Sequence, residues 1–243
     1  MLHSLARRSW LRLQRVAVVV AASTLAVVVS GWASVGHSSD VDADRRPVGA
    51  LGPGFVDPAA PPPPEGTIHP RPGSWEAVHP PRGYRVVLLT AGLDPATTTL
   101  VTAVKHWAGA EHVRLTTVAV TEPDGFVNGI VEAMDLRPDL VICAGHSLVD
   151  ALALVTASHL DQQFLVIGAQ LPEPTVNVTA TIWRGASSRG REVPNTASSF
   201  DPGAFTSERA DAAIRAGVAS VLSDLTGIVI SLDSDRPNRG FEF

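Results

Sequence analysis

The sequence predicts an α/β chain: a doubly wound three-layer sandwich around a mainly parallel sheet, with strand order beginning 2-1-3-4-5. Three observations predict it. Short strand-like segments are apolar at nearly every position, as strands covered on both faces must be. Between successive segments lie stretches with apolar residues at helical spacing. Several of those stretches open on residues that cap a helix. A strand that reaches the next parallel strand through a helix crosses over right-handedly, which places helices on both faces of the sheet.

Taken in order, Arg85-Val86-Val87-Leu88-Leu89-Thr90 reads as a buried strand ending at Ala91-Gly92. Asp94-Pro95 opens a helix, since aspartate accepts from first-turn amides and proline gives up a donor that has no partner there. Leu100, Val101, Val104 and Trp107 mark its buried face. Residues 113–120 are β-rich, and Phe126, Ile130, Val131 and Met134 mark a second helix. Leu140-Val141-Ile142-Cys143 is a third strand, followed by a helix with Leu148, Ala151, Leu152 and Val155. Residues 164–167 form a fourth strand, 176–183 alternate as a fifth, and 184–202 form a polar loop. A last helix over 207–223 turns Ile214, Val218, Val221 and Leu222 inward, and 227–232 is a sixth strand.

This predicted domain, 84–233, is preceded by two stretches of different character. Arg7, Arg8, Arg12 and Arg15 lead into an uncharged, Val- and Ala-rich run over 16–35, the pattern of an export signal. Small residues around Gly31-Trp32-Ala33 offer a cleavage point, while the run is also just long enough to span a bilayer. Residues 1–35 thus read as a signal peptide or an N-terminal membrane anchor, and the protein as extracytoplasmic, secreted or tethered. Residues 36–83 hold many prolines, among them Pro61-Pro62-Pro63-Pro64, and are expected to be a disordered tether. Residues 234–243 form a C-terminal tail.

Of the 19 basic residues, four lie in the leader; the rest face 24 acidic ones. That balance argues against nucleic acid as a partner. The single cysteine, Cys143, lies in an apolar run and excludes an intrachain disulfide.

In doubly wound sheets ligands bind beyond the carboxyl ends of the strands, near the switch in strand order. The residues brought there are Thr90, Asp94, Thr97, Gly145, His146, Ser147, Gln170, Trp183 and Arg184, the candidate ligand-binding set. Gly145-His146-Ser147-Leu148 follows a strand and opens a helix, as a hydrolase nucleophile elbow does, but Val149 stands where that elbow needs a small residue. After Ser147 the only histidine is His159, so a serine hydrolase is the third-ranked reading. Capping is the simpler role for Ser147, with Asp150 completing a capping box. Asp94 likewise reads as a cap. No dinucleotide or P-loop motif occurs, and His106 and His112 do not share a helical face, so no catalytic residue, cofactor or metal site is expected. Asn177-Val178-Thr179 fits a glycosylation sequon but falls in a predicted strand.

Three stretches together resemble the basic membrane protein family of solute-binding proteins, which have the type 1 periplasmic binding fold. They are Asp139 to Asp150 (Asp-Leu-Val-Ile-Cys-Ala-Gly-His-Ser-Leu-Val-Asp), Gln163-Phe-Leu-Val-Ile-Gly168 and Asn177-Val-Thr-Ala-Thr-Ile182, with the helix segment Ala216-Gly-Val-Ala-Ser-Val-Leu222 behind them. The resemblance covers one lobe of a fold that normally has two. It implies a small solute, with a nucleoside as the family's example, delivered to a membrane ABC importer. It also implies that His146, Ser147 and the loop 92–97 line the cleft, and a homodimer would supply the missing wall. The alternative is an envelope interaction or structural domain that kept the fold without a ligand.

Overall fold

The computed structural model describes residues 48–188 and 200–233. The expected leader or anchor, the tail over 234–243, and 189–199 of the polar loop lie outside them. In chain order the elements are β1 (Thr67–Ile68), β2 (Arg85–Ala91), α1 (Pro95–Ala110), β3 (Arg114–Val120), α2 (Phe126–Asp135), β4 (Leu140–Ala144), α3 (Val149–Val155), β5 (Phe164–Ile167), β6 (Ala169–Gln170), β7 (Val178–Ile182), β8 (Ser187–Ser188), α4 (Ser207–Leu222) and β9 (Val229–Ser231).

Seven strands form one parallel sheet in the order β1-β9-β7-β5-β4-β2-β3. Counted from the first strand of the predicted domain, this is 2-1-3-4-5 and then the last strand. Two features go beyond the sequence reading: β1 on the far edge, and a short parallel pair, β6 with β8.

Alternation along the strands feeds two cores. Val86, Leu88, Leu140, Ile142, Leu165 and Ile167 meet α1 and α4 through Leu100, Val104, Trp107, Ile214 and Val218. On the other face Val87, Leu89, Val141, Cys143, Phe164 and Val166 meet α2 and α3 through Ile130, Ala133, Leu148 and Leu152. Cys143 is fully buried there, and burial pushes its thiol pKa up, which keeps it protonated. Helix α4 comes very close to the sheet at Gly217, where a Cβ would collide with Leu165 and meet Thr181 Cγ2 at 3.1 Å. At the amino edge, Asp139 ties β2 to the start of β4: it accepts from the Arg85 backbone N–H at 2.8 Å and from Arg85 Nη2 at 2.9 Å.

The stretch read as a disordered tether is ordered over its described part, 48–83. Phe55, Ile68, Trp75 and Val78 bury themselves against Ala216, Ala219, Ile228 and Ile230. Prolines bar a ladder interior but not an edge position or apolar packing. Thr67–Ile68 falls in the gap between Pro64 and Pro70 and pairs with β9. Farther along, His79 Nδ1 lies 3.1 Å from both oxygens of buried Glu111, which also faces Arg215 Nη1 at 3.4 Å. This strap therefore uses the same physics as the core, driven by the few large apolar residues between the prolines.

Asparagine 177 is a structural staple. Fully buried, its Nδ2 donates toward the carbonyls of Thr156, His159 and Gln162 at 3.2, 2.9 and 2.9 Å, and its Oδ1 accepts from Thr175 Oγ1 at 2.6 Å. That accounts for the sequon residue without a modification. Among the described residues, no helix is long and apolar enough to cross a membrane.

Candidate functional site

The carboxyl ends of β2, β4, β5 and β7 gather the predicted set on one rim. Asp94 caps α1 as expected: its Oδ1 accepts from the Thr97 backbone N–H at 3.0 Å and its Oδ2 from Thr97 Oγ1 at 2.6 Å. Partial burial would raise the Asp94 pKa. The Thr97 hydrogen bonds and the nearby His146 outweigh it, holding the carboxyl below its ordinary value. Thr97 is buried and abuts the β4 turn, where a Cβ on Gly145 would lie 3.0 Å from its Oγ1. Gly145 needs its φ of +86°, and its N–H donates to Ile167 O at 3.0 Å, which locks the β4 turn onto the end of β5.

His146 and Ser147 follow, both half-buried. The expected cap by Ser147 is not formed. Helix α3 starts at Val149 with Leu148 as N-cap and no side-chain cap hydrogen bond, so Ser147 sits in the preceding turn, which is closed by Val149 N–H to His146 O at 3.1 Å. The chain needs those extra residues to leave the left-handed glycine before it can enter the helix. His159 is turned away from the rim, its Nδ1 2.9 Å from Val155 O.

The other half of the rim is aromatic. Trp183 is buried and meets Phe205 edge-on at 5.0 Å; Phe205 lies 5.6 Å from Phe200, which lies 5.0 Å from the His146 ring. Phe200 lies near the end of the polar loop over 184–202 and Phe205 just beyond it, outside the candidate set drawn from the sequence. Gln170 is half-exposed in β6, and Arg184 is exposed, its backbone N–H donating to Asp233 Oδ1 at 2.8 Å. The structure thus unites Asp94, Thr97, Gly145 and His146 directly, and reaches Trp183 through the two phenylalanines. Gln170 and Arg184 flank that group.

Five buried side-chain polar atoms lack partners among the described residues: Ser74 Oγ, Gln163 Oε1 and Thr179 Oγ1 lie elsewhere, while Thr90 Oγ1 and Trp183 Nε1 lie at the carboxyl ends of strands. Each unpaired group costs roughly 1–3 kcal/mol unless something external satisfies it. Both belong to the face covered by α1 and α4, since Thr90 continues the Val86–Leu88 side of β2 and Trp183 belongs to that core. Three hollows among the described residues are lined by residues other than the candidate set. One, of about 760 Å³, lies at the amino edge beside Pro63, Pro174, Leu160 and Val176; a second, of about 640 Å³, lies between α1 and α4 beside Thr102, His106, Glu208 and Asp211; a third, of about 750 Å³, lies beside Phe55, Pro61 and Ile68. Among the described residues no group of three His, Cys, Asp or Glu could hold a metal ion.

No family model matches the chain, and no curated protein is similar enough to be matched. Solved structures do show likeness. One is an ABC transporter system solute-binding protein from Aeropyrum pernix K1, at 17% identity and TM-score 0.38, covering 42% of this chain and 29% of that one. Another is an ABC transporter periplasmic solute binding protein from Actinobacillus succinogenes 130z with bound D-allose, at 12% identity and TM-score 0.30, covering 61% and 58%. A third is a transcriptional activator of the comK gene from Bacillus halodurans, at 11% identity and TM-score 0.37, covering 61% and 53%. The matched region spans less than two thirds of each of these chains. At such values the likeness carries neither ligand nor activity, and the fold rests on the strand order itself.

Proposed function

We propose that this is an extracytoplasmic, solute-binding-like protein that takes a small polar molecule at the carboxyl rim and works with a membrane importer. The observation that carries the reading is the pair of unpaired buried groups, Thr90 Oγ1 and Trp183 Nε1, on the rim that also holds Asp94 and His146. A solute offering hydroxyls or ring nitrogens would satisfy them, and exposed Phe200, backed by buried Phe205, offers a ring to stack on. The resemblance to the basic membrane protein family makes a nucleoside the first compound to try. No catalytic role is assigned to Ser147.

A second reading has its own observation. Phe200 packs on His146 and toward Phe205, so aromatic rings occupy part of the rim, as an interaction domain without a solute would have them.

A thermal-shift screen of the full-length protein against nucleosides, sugars and amino acids separates the two. A ligand at 100 times its Kd adds about 2.7 kcal/mol to native stability and raises Tm. The solute reading expects such a shift with at least one class, reduced in His146→Ala. An unchanged Tm with every class favours the interaction domain.

A further inference from the structure

Strand β3 ends the sheet and carries an open edge. In its parallel ladder with β2 the Arg114 N–H donates to Tyr84 O at 2.9 Å. By the two-residue period, Leu115, Thr117 and Ala119 then turn their N–H and C=O groups outward. Among the described residues nothing pairs with that side. The devices that blunt an edge are absent from it. It holds no proline, its register with β2 runs unbroken from Arg85↔Arg114 to Ala91↔Val120, and its one charge stands at the first position. The opposite edge is different, with β1 only two residues long and prolines on both sides. Helix α2, which packs over β3 where Gly129 meets Val120, leaves Val127 and Val131 exposed one turn apart.

We propose that this edge pairs with the same edge of a second copy of the chain, antiparallel about a two-fold axis at Thr117. The axis sets Leu115 opposite Ala119 and Thr117 opposite itself, so each outward N–H and C=O finds a partner. Charge selects the copy over a foreign strand. His112 and Arg114 are exposed before and at the start of β3, and Glu122 and Asp124 are exposed just after its end. Antiparallel pairing brings the basic end of each copy to the acidic end of the other, an isologous match. The joined sheet places the two carboxyl rims at opposite ends, so the second copy leaves each rim open and does not supply a cleft wall. This proposal is independent of solute binding.

The test is sedimentation velocity of the full-length protein in mild detergent over about 1–100 µM, the range of a micromolar dimer. A concentration-dependent dimer is expected. Thr117→Pro removes only an outward N–H, which an edge strand tolerates, and should weaken dimerisation at least about tenfold. Arg114→Glu and Glu122→Arg, each alone, should weaken it too. Mixing the two variants should restore it, because both cross-edge contacts then become attractive. A monomer throughout the range, or a dimer indifferent to Thr117→Pro and unchanged by the charge variants and their mixture, overturns the proposal.

Discussion

Gly145 turns the chain from β4 toward α3 at φ +86°, with the Thr97 hydroxyl 3.0 Å from where a Cβ would stand. Gly145→Ala therefore meets both left-handed strain and a crowded neighbour, and should cost about 1–3 kcal/mol, read as a lowered urea midpoint with unchanged m. Asn177 makes the opposite kind of case. Asn177→Ala would take the Asn177 amide from the Gln162 carbonyl, while the Thr156 and His159 carbonyls keep the His159 and Gln162 N–H groups and Thr175 keeps Thr156 Oγ1, so the cost should be about 1–3 kcal/mol by the same measurement. The Gly145 turn was legible in the sequence because a glycine between an apolar run and a helix has few other uses. The Asn177 role was not, because its acceptors lie 15 to 21 residues away and only the fold brings them together. Ser147 shows the limit of local rules: the sequence matches a capping box, yet the left-handed glycine shifts the helix start to Val149 and puts Leu148 at the cap.

At the scale of elements, apolar runs made the strands of the central sheet readable, and the crossover rule then set their order. The strap over 48–83 was hidden because proline content dominates its composition while four scattered apolar residues, Phe55, Ile68, Trp75 and Val78, decide its fate. Trp75 is buried and packs edge-on to Phe55 at 6.5 Å. Trp75→Ala should destabilise the domain by about 3–4 kcal/mol, whereas a residue in a disordered tether would leave Tm unchanged. Loss of the strap would also uncover β9 as an unprotected edge and expose Ala216, Ala219, Ile228 and Ile230 on one surface, so the variant should bind a hydrophobic dye below its melting temperature. The loop over 184–202 is polar in composition, yet at its described end Phe200 and the neighbouring Phe205 pack toward Trp183, a contact that only the fold brings together.

For the molecule as a whole, the titrating groups set a pH window. Asp94 and Asp139 both resist burial's upward pull on their pKa, the first through Thr97 and the second through Arg85, so the native state holds each carboxyl below its unfolded value. A depressed carboxyl contributes stability above the unfolded pKa, about 4, and loses it as pH falls through the folded value. Tyr84 acts at the other end. Burial, followed by the Asp139 charge, raises its hydroxyl pKa, so its contribution is intact below about 10 and is lost as pH rises further. Melting temperature should therefore be flat between about pH 5 and 9 and fall on both sides. Asp94→Asn separates the capping and titration roles of the rim aspartate, because asparagine still caps a helix but carries no titrating carboxyl. Its Tm at pH 7 should drop modestly and its acid limb should be shallower than wild type. An acid limb of the same slope would show that the Asp94 carboxyl contributes nothing to the acid transition, which would leave Asp139 with its Arg85 partner, and Glu208 at the start of α4, to carry it.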